Sequence, residues 1–537
     1  MTGTLEVVRD PRPTYPGQPV PGSDLRLMVP MIDPDDYSPV AFLQDFQILA
    51  SHLDPLVGID EVTMEPRPGL AERWEWDDDG RTITYTLRSG VVWHDGTPLT
   101  ARDVVFSLFV CRDDVNSGVA NLFVLMDNAE AIGDRKVKVT LTEPDGGWLF
   151  NASTQFVFQR KQYSDYWQSR PEGERSLAGY DWRENAPLGT GPWKVGERSK
   201  GRVAFDRNAR YWGGAPHAET LTISAEPNLD KRIDAWLRDE VDVVWPVPVE
   251  KLADLGEGEG RLYVVDSPSV MFAAFNFDNP TRQVPGLLAD IRIRQALSLA
   301  VDRERYARDI FGGFFRPEAA GTVAQPWAHN PESRNPGRDV AAARELLAEA
   351  GWEDYDDDGI LEDASGQALE FVVILRNDAR SELEAVLQSI VSDLAEVGVR
   401  LQVRPLAPDR FEERWRTTHE FDLIAYAYTL YPGFTDFDLY GSGWDIRVNP
   451  QGFNPGGYRN GDVDAAIGTI LREEDVDRQR DALYRLQQAA NEDLFGLWLG
   501  FPQDLVLVRP NVLGFQPHVA WPTWGTRQLW LTRDSSS

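Results

Sequence analysis

Hydrophobic and polar positions along the chain follow two different periods, and the changes between them predict a mixed α/β architecture. Residues 25–180 combine strand-like stretches, such as LRLMVPMI and VKVTLTEP, with a helical pattern around ARDVVFSLFV. After residue 270, helical patterns alternate with apolar strand patterns such as FDLIAYAYTL. This alternation is typical of α/β domains.

The most regular helical pattern is IRIRQALSLAVDRERYARDI, which begins at Ile291 and places Ile293, Ala296, Leu297 and Ala300 on one face. We expect one helix here, with that face buried. Further helices are predicted over residues 341–352, 382–398, 410–416 and 477–493.

The stretch VVWHDGTPLTARD raises the question of whether His94 and Asp95 belong to an active site or to a turn. The residues before this pair favour a strand, and Asp-Gly-Thr-Pro is turn chemistry. Thr100, followed three residues later by Asp103, predicts a capping-box helix start. We therefore expect His94 to bond backbone groups at a strand end rather than to act in catalysis.

Composition limits the classes of protein to which the chain can belong. A length of 537 residues suggests two or three domains, and 42% hydrophobic residues with 11% aromatics exclude wholesale disorder. The net charge of −32 argues against partners with a negative backbone or surface, such as nucleic acids and anionic lipids. The lone Cys111 lies within a helical pattern and is expected in the core.

The chain shows no apolar run long enough to span a bilayer. Its start lacks a basic region followed by an apolar stretch, so we expect an export signal to be absent from the chain. The sequence leaves open whether a lipid anchor was lost with a removed leader.

Several blocks of sequence occur together in a characteristic order. LRSGVVWHDGTPLTARDVVFSL resembles the best-known motif of the family 5 extracytoplasmic solute-binding proteins, which are the peptide, nickel and oligosaccharide receptors of ABC importers. Later blocks match in the family order: GTGPW, RNARYWGGAP, EVDVV, FNFDNP, IRIRQALSLAVDRE, FDL and NPGGYRNGDVDAAI. The resemblance covers roughly residues 25–510.

This resemblance implies an α/β, two-lobed periplasmic-binding-protein-like fold (type II, cluster C) with an extra domain in the first lobe. Lobe I is expected over residues 1–52, 183–272 and 505–537, the extra domain over 53–182, and lobe II over 273–504. It further implies a monomeric receptor, without a cofactor and outside the cytoplasmic membrane. Such a receptor closes around its ligand and delivers it to ABC importer membrane subunits.

The ligand class stays open between two alternatives. Peptide receptors of this family commonly place an Asp some ten residues after the FDL phenylalanine, where it pairs with the ligand's ammonium group. Here Tyr431 and Pro432 stand near that place, and Asp436 is the next acid. Oligopeptide is the leading ligand, with Asp436 as the possible ammonium partner, and an oligosaccharide or another uncharged small molecule is the alternative. Nickel fits less well, since the six histidines, at 52, 94, 217, 329, 419 and 518, form no ligand-spaced pair.

Aromatic residues supply most of the candidate ligand contacts. Period two places Tyr426 and Tyr428 on the same strand face, and the resemblance implies that the segment after FDL enters the cleft. Core packing is the alternative for each aromatic candidate. The complete set of candidate contacts is Tyr426, Tyr428, Thr429, Tyr431, Trp415, Asp436, Trp444, Trp245, Asn276, Asp36, Tyr37, Trp521 and Trp524.

An acidic stretch gives a weak metal candidate. Asp354, Asp356 and Asp358, followed by Gly359, copy the first half of a calcium loop, but Ser365 stands where the closing Glu belongs. A solvated turn is therefore the alternative, and no metal site is predicted with the main function.

Two rival functions lack their sequence signatures. A hydrolase would need a nucleophile with its base, and neither GxSxG nor HExxH occurs. A DNA-linked sensor would add a basic helical module, and neither end of this sequence has one. We therefore expect a receptor and not an enzyme.

Overall fold

A computed structural model describes most of the chain. The described residues are 5–10, 22–30, 38, 40, 46–182, 185, 187–252, 255, 260–267, 269–282, 286–318, 321, 325–379, 381–429, 436–516 and 526–531. The chain divides into two compact units. Unit 1 comprises Met1–Val265, Leu471–Glu474 and Asp504–Ser537, and unit 2 comprises Asp266–Ile470 and Asp475–Gln503. The three-part division predicted from the sequence, with residues 53–182 as a separate domain, stays a prediction.

The strands, in chain order, are β1 (Leu5–Val8), β2 (Asp24–Val29), β3 (Val57–Ile59), β4 (Pro66–Pro68), β5 (Ala71–Trp76), β6 (Thr82–Leu87), β7 (Met126–Ile132), β8 (Lys136–Leu141), β9 (Trp193–Ser199), β10 (Arg202–Arg207), β11 (Thr220–Ala225), β12 (Val243–Val244), β13 (Gly260–Asp266), β14 (Ser269–Phe275), β15 (Phe315–Arg316), β16 (Glu370–Arg376), β17 (Arg400–Leu406), β18 (Leu423–Thr429), β19 (Gly496–Val508), β20 (Val512–Leu513) and β21 (Trp530–Leu531).

The α-helices are α1 (Phe46–His52), α2 (Ala101–Asp113), α3 (Arg160–Gln168), α4 (Leu229–Leu237), α5 (Ile291–Ala300), α6 (Arg303–Asp309), α7 (Val340–Glu349), α8 (Ser381–Ala395), α9 (Pro408–Glu413), α10 (Gly461–Ile470) and α11 (Val476–Glu492). A π-helical turn, Arg414–Thr418, continues α9.

Unit 1 contains a mixed sheet and a separate antiparallel one. In the mixed sheet the order is β19, β12, β2, β11, β10 and β9, where β2 runs parallel to both β12 and β11. The antiparallel sheet has the order β5, β6, β8 and β7. Helix α2 packs beside it and buries Val104, Leu108 and Cys111, so the predicted core position of the lone thiol is confirmed.

Unit 2 contains a second mixed sheet, in the order β17, β16, β18, β14 and β19. Strands β17, β16 and β18 are parallel, and β14 is antiparallel to both of its neighbours. The core includes the buried side chains of Phe275 and Val373 on strands and of Leu297 and Ile390 on helices. The predicted strand FDLIAYAYTL is β18, near the centre of this sheet.

The stretch after Ile291 forms two helices, α5 and α6, so the prediction of one long helix is wrong. The break lies at Val301, whose backbone is extended, and at Asp302. The Asp302 carboxylate accepts a hydrogen bond from the Arg305 N–H at 3.0 Å and thereby caps α6. An N-cap aspartate starts a new helix because it satisfies one of the first N–H groups. The predicted apolar face is buried, as Ile293 illustrates.

Candidate functional site

A row of aromatic side chains crosses the sheet of unit 2 on one face. Phe272 of β14 lies opposite Tyr426 of β18 and opposite Trp498 of β19. Its ring centroid is 5.6 Å from that of Tyr426 and 5.5 Å from that of Trp498. Because alternate residues of a strand share a face, Tyr428 belongs to the face of Tyr426, as predicted. Tyr428 is half-buried and lies opposite Val270.

The row continues from Tyr426 to the π-helical turn after α9. Trp415 lies 5.8 Å from Tyr426 and 5.8 Å from Phe453, measured between ring centroids. The Arg416 guanidinium lies 3.9 Å from the centre of the Trp415 ring. A π-turn adds one residue to the helix and often marks a functional position. Here it turns Trp415 into the row, where only 5% of the residue is exposed.

Three polar atoms in this row have no hydrogen-bond partner among the described residues. They are the indole Nε1 atoms of Trp415 and Trp498 and the hydroxyl of Tyr426. Burial raises the pKa of Tyr426 well above its ordinary value, so this phenol stays neutral. Two N–H donors and a hydroxyl that are all buried and unpartnered favour a polar occupant beside the row.

The other end of the row reaches a short helical turn, Asp436–Leu439, which follows β18 in sequence. Tyr440, directly after this turn, is fully buried and contacts Trp498 with a ring centroid distance of 6.2 Å. This contact holds the turn in place, and Asp438, two residues before Tyr440, is half-buried. Within the described part of the chain, the Oδ1 atom of Asp438 is buried and has no hydrogen-bond partner.

Burial raises the pKa of Asp438 to about 7, although the N–H groups of Leu439 and of Asp438 itself favour the charged form. A buried carboxylate without a counter-charge is costly, so it titrates far above its usual range. The sequence patterns named Asp436 and not Asp438 as a candidate contact. In the TDFDLY stretch, Asp438 comes directly before Leu439 and Tyr440, which are buried in the structure.

Other predicted contacts occupy different surroundings. Asn276 is buried, and its amide Nδ2 donates to the carbonyls of Phe421 at 2.8 Å and His419 at 3.0 Å, so this side chain braces the start of β18. Trp444 of unit 2 and Trp245 of unit 1 are half-buried. The indole Nε1 of Trp245 has no partner among the described residues. Ligand contact by any of these residues stays a prediction.

Part of the predicted set lies outside the described residues: Asp36, Tyr37, Tyr431, Trp521 and Trp524. Thr429 is the last residue of β18, and Asp436 is the first residue of the turn Asp436–Leu439.

His94 and Asp95 are part of the scaffold of unit 1, as the turn chemistry predicted. The Gly189 N–H donates to His94 Nδ1 at 3.2 Å, and His94 Nε2 lies 3.1 Å from the Gly191 carbonyl oxygen. Burial lowers the pKa of His94 to about 4. Asp95 accepts bonds from the backbone and hydroxyl of Thr97 within its own turn.

The acidic stretch of unit 2 brings four carboxylates together. Single oxygen atoms of Asp354, Asp356, Asp358 and Glu362 all lie within 4.8 Å of one another. The three aspartates are exposed and Glu362 is buried. Counted from Asp354, Glu362 occupies the ninth position of the loop. A calcium site here stays a prediction.

These two α/β units, with an antiparallel sheet added to the first, define the class of two-lobed solute receptors. The model of the bacterial extracellular solute-binding proteins, family 5 Middle, matches residues 65–445. The chain belongs to this family, and the predicted family and fold class are both confirmed.

Individual relatives agree with this assignment. The dipeptide-binding protein of Escherichia coli is 27% identical over 346 residues, which are 60% of this chain and 62% of that protein. The oligopeptide-binding protein AppA of Bacillus subtilis is 24% identical over 479 residues, which are 86% of this chain and 83% of AppA.

Solved structures show the same fold. That of Bacillus subtilis AppA in complex with a nonapeptide has a TM-score of 0.68 at 21% identity, covering 96% of this chain and 100% of AppA. That of NikZ from Campylobacter jejuni in complex with Ni(L-His) has a TM-score of 0.70 at 22% identity, covering 95% of this chain and 100% of NikZ.

Members of the family are substrate-binding proteins of ABC importers, not enzymes, and they work in the periplasm or outside the cell. Among the described residues, none of the helices combines the length and apolar character that a bilayer-spanning segment needs.

Proposed function

We propose that this protein is a receptor that binds an oligopeptide and delivers it to the membrane subunits of an ABC importer. Relatives named for dipeptide and oligopeptide binding support the ligand class. The aromatic row and Tyr428, on the same strand face as Tyr426, provide stacking surfaces, and the polar atoms of Trp415 and Tyr426 provide hydrogen-bonding groups.

The observation that carries this proposal is the half-buried carboxylate of Asp438. A peptide ligand brings a positive α-ammonium group, and a cation beside a buried carboxylate offsets the cost of removing that charge from water. A neutral sugar would leave the carboxylate without a counter-charge. Asp438 therefore favours a peptide and replaces Asp436 as the proposed ammonium partner.

The pH dependence of binding follows from the two titrating groups. Free Asp438 has a pKa of about 7, and the ammonium group selects its charged form, so affinity falls as the pH drops below that value. The ligand's own α-amino group loses its proton at about pH 8, so affinity also falls above that value. Peptide affinity is therefore greatest between these two values.

Calorimetric titration tests the proposal with three ligands: a degenerate tripeptide library, the same library acetylated at its N-terminus, and maltotriose. We expect the free library to bind, with acetylation weakening it by about 10- to 100-fold, since the ammonium–carboxylate bond contributes about 1.5–3 kcal/mol. Asp438→Asn should abolish this preference, whereas Asp436→Asn, which removes the same charge two residues away, should retain it.

Each alternative outcome has a definite meaning. If Asp436→Asn alone removes the preference for a free N-terminus, Asp436 is the ammonium partner and the role given to Asp438 is wrong. If maltotriose binds and neither library does, the peptide function is wrong.

A further inference from the structure

A pocket lies within unit 1. It has a volume of about 260 Å³ and is bounded by the end of α1, the β3–β4 hairpin and the loop at Tyr211 and Trp212. Its apolar walls include Leu53 and Ile59. This volume is slightly below the usual range for ligand pockets, so the pocket fits a small molecule with a short apolar body.

Asp54 lines this pocket and is 6% exposed. Its carboxylate accepts hydrogen bonds from the Tyr211 hydroxyl at 2.9 Å, from the Trp212 indole N–H at 2.8 Å and from the Thr190 hydroxyl at 2.8 Å. Donation to a carboxylate increases the electron density of a phenol or an indole. The two rings, 5.3 Å apart and inclined at 53°, therefore become better partners for a cation.

The Trp212 ring already has a cation beside it. The Arg88 guanidinium lies 4.6 Å from the centre of the indole ring. Such a cation–π contact is typical of an electron-rich ring, and here it uses one face of the indole.

The charged residues that line the pocket are two acids, Asp54 and Glu61, and one base, Arg67, so the lining itself has a net charge of −1. The Arg88 guanidinium beside Trp212 is not part of this lining. Arg67 donates two hydrogen bonds to Glu61, at 2.7 and 2.5 Å, at the more exposed side. The two members of this pair can be changed separately, and each change alters the charge of the pocket in the opposite direction.

We propose that this pocket of unit 1 binds a small organic monocation, with the charge near Asp54 and the aromatic rings and the apolar body against Leu53 and Ile59. None of the residues that line this pocket belongs to the aromatic row, and Asp438 is not among them. The pocket would allow a second solute to stabilise the receptor without entering the peptide site.

Calorimetric titration with choline tests this proposal, and 3,3-dimethylbutan-1-ol is the matched neutral ligand, since carbon replaces the charged nitrogen. We expect saturable binding of one choline per chain, at least about tenfold tighter than the alcohol. Arg67→Gln should tighten choline binding and Glu61→Gln should weaken it, each by about three- to tenfold at low salt, with both effects reduced at high salt.

Arg73→Gln and Glu75→Gln are the matched controls. These residues form an exposed pair 3.7 Å apart on β5, and they do not line the pocket. They change the net charge of the chain by the same amounts, and we expect choline affinity to stay within about twofold of the unchanged protein, since exposed charges are screened.

The proposal is overturned if choline shows no saturable binding, if the neutral alcohol binds equally well, or if the control pair shifts choline affinity as much as Arg67 and Glu61 do. Peptide binding is measured on the same variants and should not change. If the unchanged protein binds choline but no peptide, the result counts against the proposed function alone.

Discussion

At the scale of single residues, the contact between Tyr440 and Trp498 decides which acid of the TDFDLY stretch is removed from water. The FDL block and the alternating tyrosines led directly to β18, where Tyr426 and Tyr428 share a face. Asp438 could not be selected in the same way, because its burial depends on the contact between Tyr440 and Trp498, which are far apart in the chain. A local pattern shows which residues are acidic but not which of them is removed from water.

Asp438→Asn should stabilise the free protein at pH 8. The folded state holds the Asp438 proton up to a pH of about 7, whereas the unfolded chain releases it near pH 4, so the carboxylate costs stability as the pH rises through that window. Removing the charge should raise the free energy of unfolding by about 2–4 kcal/mol at pH 8 and leave it unchanged at pH 4. Urea unfolding at both pH values measures this.

Glu345→Gln is the control for this measurement, since Glu345 is exposed on α7. It removes the same charge and should change stability by less than about 0.5 kcal/mol at either pH. Equal effects of the two substitutions at pH 8 would contradict the burial of the Asp438 carboxylate.

At the scale of elements, the sequence predicted the individual turns, caps and strands but not the contacts between them. The turn at Asp95, the capping box at Thr100 and the strand β18 all follow from local chemistry. The junction of His94 with the GTG segment joins residues nearly one hundred positions apart. The break between α5 and α6 was missed because an apolar face continues up to the break, while a single Asp302 starts the second helix.

Gly189 is required at that junction because of a close approach. A Cβ atom there would lie 1.7 Å from the carbonyl oxygen of His52, which is backbone and cannot move aside. We expect Gly189→Ala to destabilise the protein by more than about 3 kcal/mol, measured by urea unfolding.

Gly468→Ala is the matched control within helix α10, where an added Cβ meets no atom within 4 Å. It should stabilise the protein by about 0.5–1 kcal/mol, because alanine favours the helix over glycine. If Gly189→Ala were as well tolerated as Gly468→Ala, the described packing of the GTG segment against His52 would be wrong.

At the scale of the whole molecule, the net charge follows directly from the sequence, whereas the identity of the ligand does not. The 86 acidic and 54 basic residues give a net charge of −32, which disfavours polyanionic partners whatever the fold. The family could be recognised because many blocks occur in one order. The ligand could not, because the segment after FDL departs from the usual pattern at Tyr431.

Self-repulsion of this charge should make stability depend on salt. Raising sodium chloride from about 10 mM to 500 mM shortens the Debye length from roughly 30 Å to less than 10 Å and should raise the midpoint of thermal unfolding. Differential scanning calorimetry at the two concentrations checks this, with sucrose as an uncharged control for general effects of solutes. A lower midpoint in salt would contradict the expectation.

Native mass spectrometry of gently purified protein tests the central claim most directly. A peptide receptor retains part of its ligand, so we expect a heterogeneous set of adducts with peptide-like masses, displaced by added short peptides and reduced by Asp438→Asn. Adducts separated by hexose units, unaffected by peptides, would contradict the account and identify an oligosaccharide receptor.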